Sequence, residues 1–176
     1  MSLFSVSEQA LRVCLLVLPE TSMMTLASTL DPMRAANRIA SRGLFEWQLL
    51  TIDNQPATLT CGIPVAPQGQ IDIQTDGDLL FVIAGFNQYK YVNRQQLKII
   101  KQLSSRFRAV GGIEAGSWVL ARCGLLDGKQ ATTHWEDHEE FTMQFPRVAL
   151  KADRFIIDDR IFTTGGASPT FDFMLY

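Results

Sequence analysis

The sequence predicts a three-layer α/β sandwich around a mostly parallel sheet, and three observations carry that expectation. Two nearly continuous apolar runs, Ala10–Leu18 (ALRVCLLVL) and Asp78–Ala84 (DLLFVIA), are too hydrophobic for strands with one wet face. They suit strands covered on both sides, as parallel strands are. Stretches of helical spacing lie between the apolar runs, so strands and helices alternate as in repeated β-α-β units. Finally, 176 residues, 47% hydrophobic and 19% charged, suit one domain with a sizeable core and are too few for two.

Taken in order, residues 1–9 are polar and patternless and read as a leader, which puts the domain at residues 10–176. Pro19 closes the first strand. Ser22 is a candidate N-cap for a helix in which Met23, Leu26, Ala27 and Leu30 share one face. Pro32 is expected to kink or restart that helix, and Gly43 to end it. Phe45–Ile52 (FEWQLLTI) reads as a second strand. Thr58–Ala66, with Gly62 and Pro64, reads as a short hairpin arm beside the sheet. Gly85 ends the strand Asp78–Ala84. Asn93–Phe107 is amphipathic, with Leu97, Ile100 and Leu103 inward and Lys98, Lys101 and Arg106 on a solvated face. Ala109–Ile113 is a strand that leads at once into a helix, Gly116–Cys123, closed by Gly124. Glu136–Gln144 is a further helix, and Phe155–Asp158 and Arg160–Thr164 flank a tight polar turn. The apolar ending, Phe171 to Tyr176, has no cap and no polar tail, which predicts that the native protein continues past it.

Charge excludes some function classes. Lys and Arg number 16 against 18 Asp and Glu, a balance of −2, without the positive footprint of a nucleic-acid binder. No apolar run reaches the ~20 residues of a membrane-crossing helix. No signal-peptide pattern opens the chain, so a cytoplasmic protein without a membrane partner is expected. Cys14, Cys61 and Cys123 are odd in number and lack metal-like spacing, which argues against a disulfide framework. Cys14 and Cys123 fall in apolar and helical stretches and read as buried, inert thiols.

The segment with chemical content is Gly112-Ile113-Glu114-Ala115-Gly116, between a strand and a helix. It has the G-x-S-x-G form of a nucleophile elbow with glutamate at the centre. Small flanking residues let the chain turn sharply and push the central side chain into the crevice at the strand's carboxyl end. Ser117, inside the helix, is a poor substitute nucleophile. Two plain roles for Glu114 stand beside a ligand-binding one: capping local amides, or pairing with an arginine.

Several further stretches carry a resemblance. They are Leu30 to Arg38 (LDPMRAANR), Gly111 to Gly116, Leu120 to Gly128 (LARCGLLDG), Ala131 to Glu136 (ATTHWE), Phe145-Pro146 and Thr163 to Gly166 (TTGG). With them the chain resembles the class I glutamine amidotransferase-like domain, in the ThiJ/PfpI branch that forms the N-terminal half of AraC-type transcriptional regulators. The resemblance implies a flavodoxin-like fold, a homodimer, a small-molecule effector, and DNA contact only through a C-terminal helix-turn-helix region that this chain lacks. Enzymes of the family use an elbow cysteine, aided by a histidine and by a glutamate from the first helix. Glu114 takes the cysteine position, Thr25 falls at the helix glutamate, and His134 matches the pocket histidine. With no thiolate at the elbow, the resemblance implies a non-catalytic pocket, and neither a cofactor nor a metal is expected.

What the pocket takes follows from its charge. Opposite charges ~4 Å apart at an effective dielectric of ~20 attract by ~4 kcal/mol before desolvation. An elbow glutamate therefore favours a cation, while the amides of Ala115, Gly85 and Phe86 offer a place for a carboxylate. Trp135, Phe86 and Trp118 are candidates to face a cationic nitrogen. Regulators that resemble this chain and carry an acidic elbow include sensors of glycine betaine, carnitine and basic amino acids. The expected ligand is thus a small cationic or zwitterionic nitrogen metabolite. Two alternatives remain: a stand-alone ThiJ/PfpI-type hydrolase or isomerase, with Cys14 or Cys61 near the elbow, and a ligand-free dimerisation module. His134 and His138 lie four apart, but the H-E-x-x-H order of metalloproteases is absent.

Overall fold

Strands and helices alternate along the chain in the computed structural model, which describes residues 9–176. The leader expected at residues 1–9 lies, apart from Gln9, outside the described residues. The elements are β1 (Leu11–Val17), α1 (Met23–Ala40), β2 (Phe45–Thr51), β3 (Ala57–Thr58), β4 (Pro64–Val65), β5 (Gly69–Gln70), β6 (Leu79–Ala84), α2 (Gln88–Tyr91) and α3 (Arg94–Ser104). They continue with β7 (Ala109–Glu114), α4 (Gly116–Arg122), β8 (Gln130–Ala131), α5 (His138–Gln144), β9 (Ala149–Leu150), β10 (Phe155–Asp158), β11 (Ile161–Thr164) and α6 (Ala167–Leu175).

Seven strands form one sheet in the order β10-β11-β7-β6-β1-β2-β5. All pairs are parallel except the β10–β11 hairpin at one edge. The parallel strands β2-β1-β6-β7-β11 follow the flavodoxin-like order, which places a ligand crevice at the carboxyl ends of the strands. The arm is present, with Ala57 and Thr58 pairing antiparallel to Val65 and Pro64. β5 and the single turn α2 were not legible in the sequence; each is too short to show a period.

The layers follow from the pleat. Leu16 and Leu18 point with Leu80, Val82 and Val110 to the face covered by Ile100, Leu103, Val119 and Phe141. Val13, Leu15 and Val17 point with Phe81, Ile83 and Ile113 to the face covered by Leu26, Met33 and Phe173. On that second face Phe162 stacks on Phe173 at 4.3 Å and meets Phe81 edge-on at 5.0 Å. Both faces are dry at β6, at β7 and in β1 beyond Arg12, as the two apolar runs predicted, whereas β2 leaves Glu46 and Gln48 exposed.

Helix α1 departs from expectation in three ways. It runs unbroken through Pro32, and it ends at Ser41, a left-handed C-cap with φ 53°, two residues before Gly43. Its inward face is Thr25, Leu26, Thr29 and Met33, whereas Met23 and Ala27 are exposed. Ser22 occupies the N-cap without a side-chain hydrogen bond. Counting apolar residues misplaced the face because threonine was scored as polar. Here Thr29 Oγ1 donates to its own helix at Thr25 O, 2.9 Å away, which lets the side chain be buried. No helix among the described residues is long and apolar enough to cross a membrane.

Candidate functional site

The site is built around a strained residue. Glu114 ends β7 with φ 55°, in the left-handed region that a side chain with a Cβ rarely occupies. The chain there is held by close backbone approaches that only glycine permits. A Cβ on Gly112 would stand 2.7 Å from the Ser117 nitrogen, and one on Gly116 would stand 1.9 Å from Val82 O. Gly85, at the end of neighbouring β6, is pressed likewise, with Glu20 O 2.0 Å from any Cβ. Ser117 Oγ donates to Glu114 O at 2.9 Å and accepts from the Thr133 hydroxyl at 2.8 Å, so this hydroxyl is structural. The result is an elbow that holds one side chain at the carboxyl ends of β6 and β7.

That side chain is a buried carboxylate, 7% exposed. Thr25 Oγ1 donates a short hydrogen bond to Glu114 Oε2 from the buried face of α1. Burial pushes the Glu114 carboxyl above its ordinary pKa; the Thr25 hydroxyl and the His134 ring oppose this, and Asp137 adds to it. Among the described residues no arginine reaches Glu114, so the ion-pair role does not apply.

His134 is the second member. Its ring meets Phe86 edge-on at 5.1 Å and lies 5.8 Å from Trp135. Its Nδ1 is buried without a hydrogen-bond partner, 3.7 Å from Glu136 Oε2. His138 turns elsewhere, its Nε2 lying 3.2 Å from Thr133 O. Among the described residues no three His, Cys, Asp or Glu side chains gather as a metal ion would require.

Of the eight residues expected at the site, Gly85, Glu114 and Ala115 stand at these strand ends, Thr25 bonds Glu114, and His134 acts on Glu114 and meets Phe86, whereas Trp135 touches His134 but is 71% exposed. One expectation needs correction. The Ala115 amide donates to Ala84 O at 3.1 Å, so the sheet has already taken the donor expected to hold a carboxylate. Trp118 stands beside Asp137. It is 7% exposed, packs edge-on against Phe141 and Phe145, and donates from Nε1 to Asp137 Oδ2 at 3.0 Å. Asp137 was missed: it sits in an acidic run explained well enough as a helix start, and its pairing with Trp118 is purely tertiary.

None of the three thiols occupies the elbow position, which is Glu114. Cys14 is level with Leu80 and Val110, four residues short of Glu114 along the sheet, or about 13 Å. Burial pushes its thiol up to about 11, and that of Cys123 up to about 12. Cys61 is exposed in the loop of the arm.

The model of the DJ-1/PfpI family matches residues 11–176. The chain belongs to the DJ-1/PfpI family. Among family relatives, the HTH-type transcriptional regulator CdhR of Pseudomonas aeruginosa is 36% identical over 160 residues, covering 91% of this chain and 47% of that protein. The regulator GbdR of the same species is 32% identical over 92% of this chain and 44% of its own length. An isonitrile hydratase of Pseudomonas putida is 29% identical over 94% of this chain and 70% of its length. The chain thus spans about half the length of the regulators it matches. In fold, it superposes on an AraC family transcriptional regulator from Pseudomonas putida with a TM-score of 0.83 at 21% identity, covering 94% of this chain and 89% of that one. Drosophila melanogaster DJ-1beta gives 0.78 at 14% identity, covering 95% and 88%. DJ-1/PfpI members therefore include both regulators and enzymes, and only the site of this chain can divide the two.

Proposed function

We propose that this chain is the non-catalytic, effector-sensing and dimerising domain of a cytoplasmic AraC-type transcriptional regulator. It takes a small cationic or zwitterionic nitrogen compound, and the protein reaches DNA through a helix-turn-helix region beyond this sequence. One observation carries the reading: the elbow position holds a buried carboxylate bonded by Thr25, where a nucleophilic thiol would be needed for the family's hydrolytic chemistry. A buried carboxylate with a raised pKa gains from a cationic partner. The similarity to CdhR and GbdR supports the regulator assignment. Ligand binding would shift the placement of two DNA-binding halves through differential affinity for two dimer arrangements.

Isothermal titration with glycine betaine, carnitine, choline, arginine and a neutral amino acid tests the ligand class. Heat is expected from one or more of the nitrogen cations and a loss of at least tenfold in affinity in Glu114→Ala. Silence from every cationic compound, or unchanged affinity in the variant, sinks it. For the full-length protein, ligand that changes neither the scattering envelope nor operator binding removes the switching mechanism. The isonitrile hydratase relative makes turnover of an isonitrile, a glyoxal or a peptide the matching test of the enzymatic alternative.

A further inference from the structure

Next to the elbow crevice, beyond the Phe86 ring that contacts His134, lies a cavity of about 310 Å³. Its walls include Phe86, Trp118, Arg122, Asp137, Glu140 and Phe145. The volume falls at the small end of the ~300–1,000 Å³ typical of small-molecule sites. Its arginine has no carboxylate partner among the described residues. Arg122 Nη1 donates to Gln88 Oε1 at 2.6 Å and Nη2 to Val92 O at 2.7 Å, both neutral acceptors. A guanidinium has five N–H donors, and no other acceptor among the described residues takes the remaining three. Burial pulls the Arg122 pKa down, and no carboxylate offsets that cost.

On the facing wall, Asp137 Oδ2 accepts only the neutral Trp118 Nε1–H, and Glu140 accepts from Gln144 Nε2 at 2.8 Å. Burial pushes the Asp137 carboxyl up; the Trp118 N–H and the His134 ring oppose this, and Glu140 and Glu136 add to it. Trp118 and Arg122 are one turn apart on α4, about 6 Å of rise, so the guanidinium sits a step along the helix from the Trp118–Asp137 pair. The cavity therefore offers a cation with no carboxylate partner, an acidic wall opposite it and aromatic rings between α4 and the start of α5. The Ala115 amide, bonded to Ala84 O, leaves the anionic half of a zwitterion without its expected partner at the elbow.

We propose that this cavity is the zwitterion site of the domain, with the ligand's carboxylate on the Arg122 guanidinium and its cationic nitrogen against Asp137 and the Trp118 and Phe145 rings. The inference rests on the sensing reading above and extends the ligand site from the elbow into the α4–α5 cavity, with the cationic end beside Asp137, whose charge Glu114 feels. Bidentate arginine recognition fixes the carboxylate, and the aromatic faces accept either a quaternary nitrogen or a guanidinium. Elbow and cavity then communicate through Phe86, His134 and Asp137.

The test compares ligands that differ only at the carboxylate end, glycine betaine against choline and arginine against agmatine. Titration calorimetry is run on the chain, Arg122→Gln, Asp137→Asn and Glu114→Gln. The zwitterion of a pair should bind at least ~10-fold more tightly than its partner, and that preference should fall to near one in Arg122→Gln. Asp137→Asn, which keeps an acceptor for Trp118 Nε1, should weaken the zwitterion by ~10-fold or more while leaving the near-ultraviolet circular dichroism unchanged. It serves alone if Arg122→Gln does not fold. Wild-type affinity in Asp137→Asn, or an undiminished carboxylate preference in Arg122→Gln, with binding lost in Glu114→Gln, overturns the cavity assignment and leaves the sensing reading standing. No binding of any of the four compounds to the unaltered chain overturns both.

Discussion

At the scale of the residue, Glu114 gives the domain's stability one identifiable dependence on pH. Its folded-state pKa is raised, chiefly by burial, so the native state binds a proton more tightly than the unfolded chain does. Stability is then greatest, as far as this group is concerned, below the unfolded value of about 4.5, and falls as pH rises toward the raised folded pKa. Above that the ionised side chain remains a standing cost. Glu114→Gln keeps the shape and an acceptor for Thr25 Oγ1 but has no charge to desolvate. The variant is therefore expected to melt higher than the parent at pH 7–8, by about 2–4 °C for each kcal/mol recovered, with the gap closing near pH 4. Thermal unfolding followed across that range checks it; a variant that melts lower at pH 7.5 would show that Thr25 and His134 compensate the charge in full. A cationic ligand acts on the same penalty, so the residue that weakens the apo domain is the one that sharpens its selectivity.

At the scale of the element, the elbow depends on two glycines more than on its central residue. Gly116→Ala would drive a Cβ to 1.9 Å from Val82 O, a backbone atom inside the central sheet that cannot rotate away. The substitution is expected to destabilise by about 3 kcal/mol or more, the upper end of overpacking costs, read as a lowered urea midpoint. Gly128, which has no heavy atom within 4 Å of a Cβ but has φ +74°, is the control in which strain acts without a clash. The glycines around Glu114 were a weak signal alone, since glycines between a strand and a helix are common for packing, and it was the resemblance of the surrounding stretches that singled them out. β1 and β6 were legible, since their unbroken apolar runs reflect burial on both faces. Helix α1 was less legible, since Pro32 lies within an unbroken helix and Thr25 and Thr29 face inward through hydrogen bonds that apolar counting does not register. Ala115 was misread for the same reason: its side chain suits the elbow, but the fate of its amide depends on the register of β7 against β6. Arg122 and Asp137 stayed hidden because a solvated helix end and a helix start each explain their local sequence completely.

At the scale of the molecule, the sheet divides the interior into two apolar layers, and each is closed by helices of this chain alone. Such a domain holds its own core, so the response to ligand is measurable on it apart from whatever the full-length protein adds. Binding to the folded state alone stabilises by RT ln(1 + [L]/Kd), about 2.7 kcal/mol at a hundredfold excess over Kd. At about 2–4 °C per kcal/mol for a chain of this size, the melting temperature should rise by roughly 5–10 °C. The rise follows the logarithm of ligand concentration, which separates specific binding from a salt effect: sodium chloride at equal ionic strength should screen charges without reproducing the slope. The two charged walls make the comparison sharper. Salt weakens the attraction between Asp137 and a cationic nitrogen, so the ligand-induced rise should shrink as ionic strength grows, while an apolar binding mode would leave it unchanged. A melting temperature that is flat in glycine betaine and arginine up to 10 mM would leave the domain with no small-molecule response of this kind. A rise that persists undiminished in 1 M salt would place the ligand on apolar surface instead, such as the cavity of about 160 Å³ lined by Met33, Phe81, Phe173 and Met174 on the opposite face of the sheet.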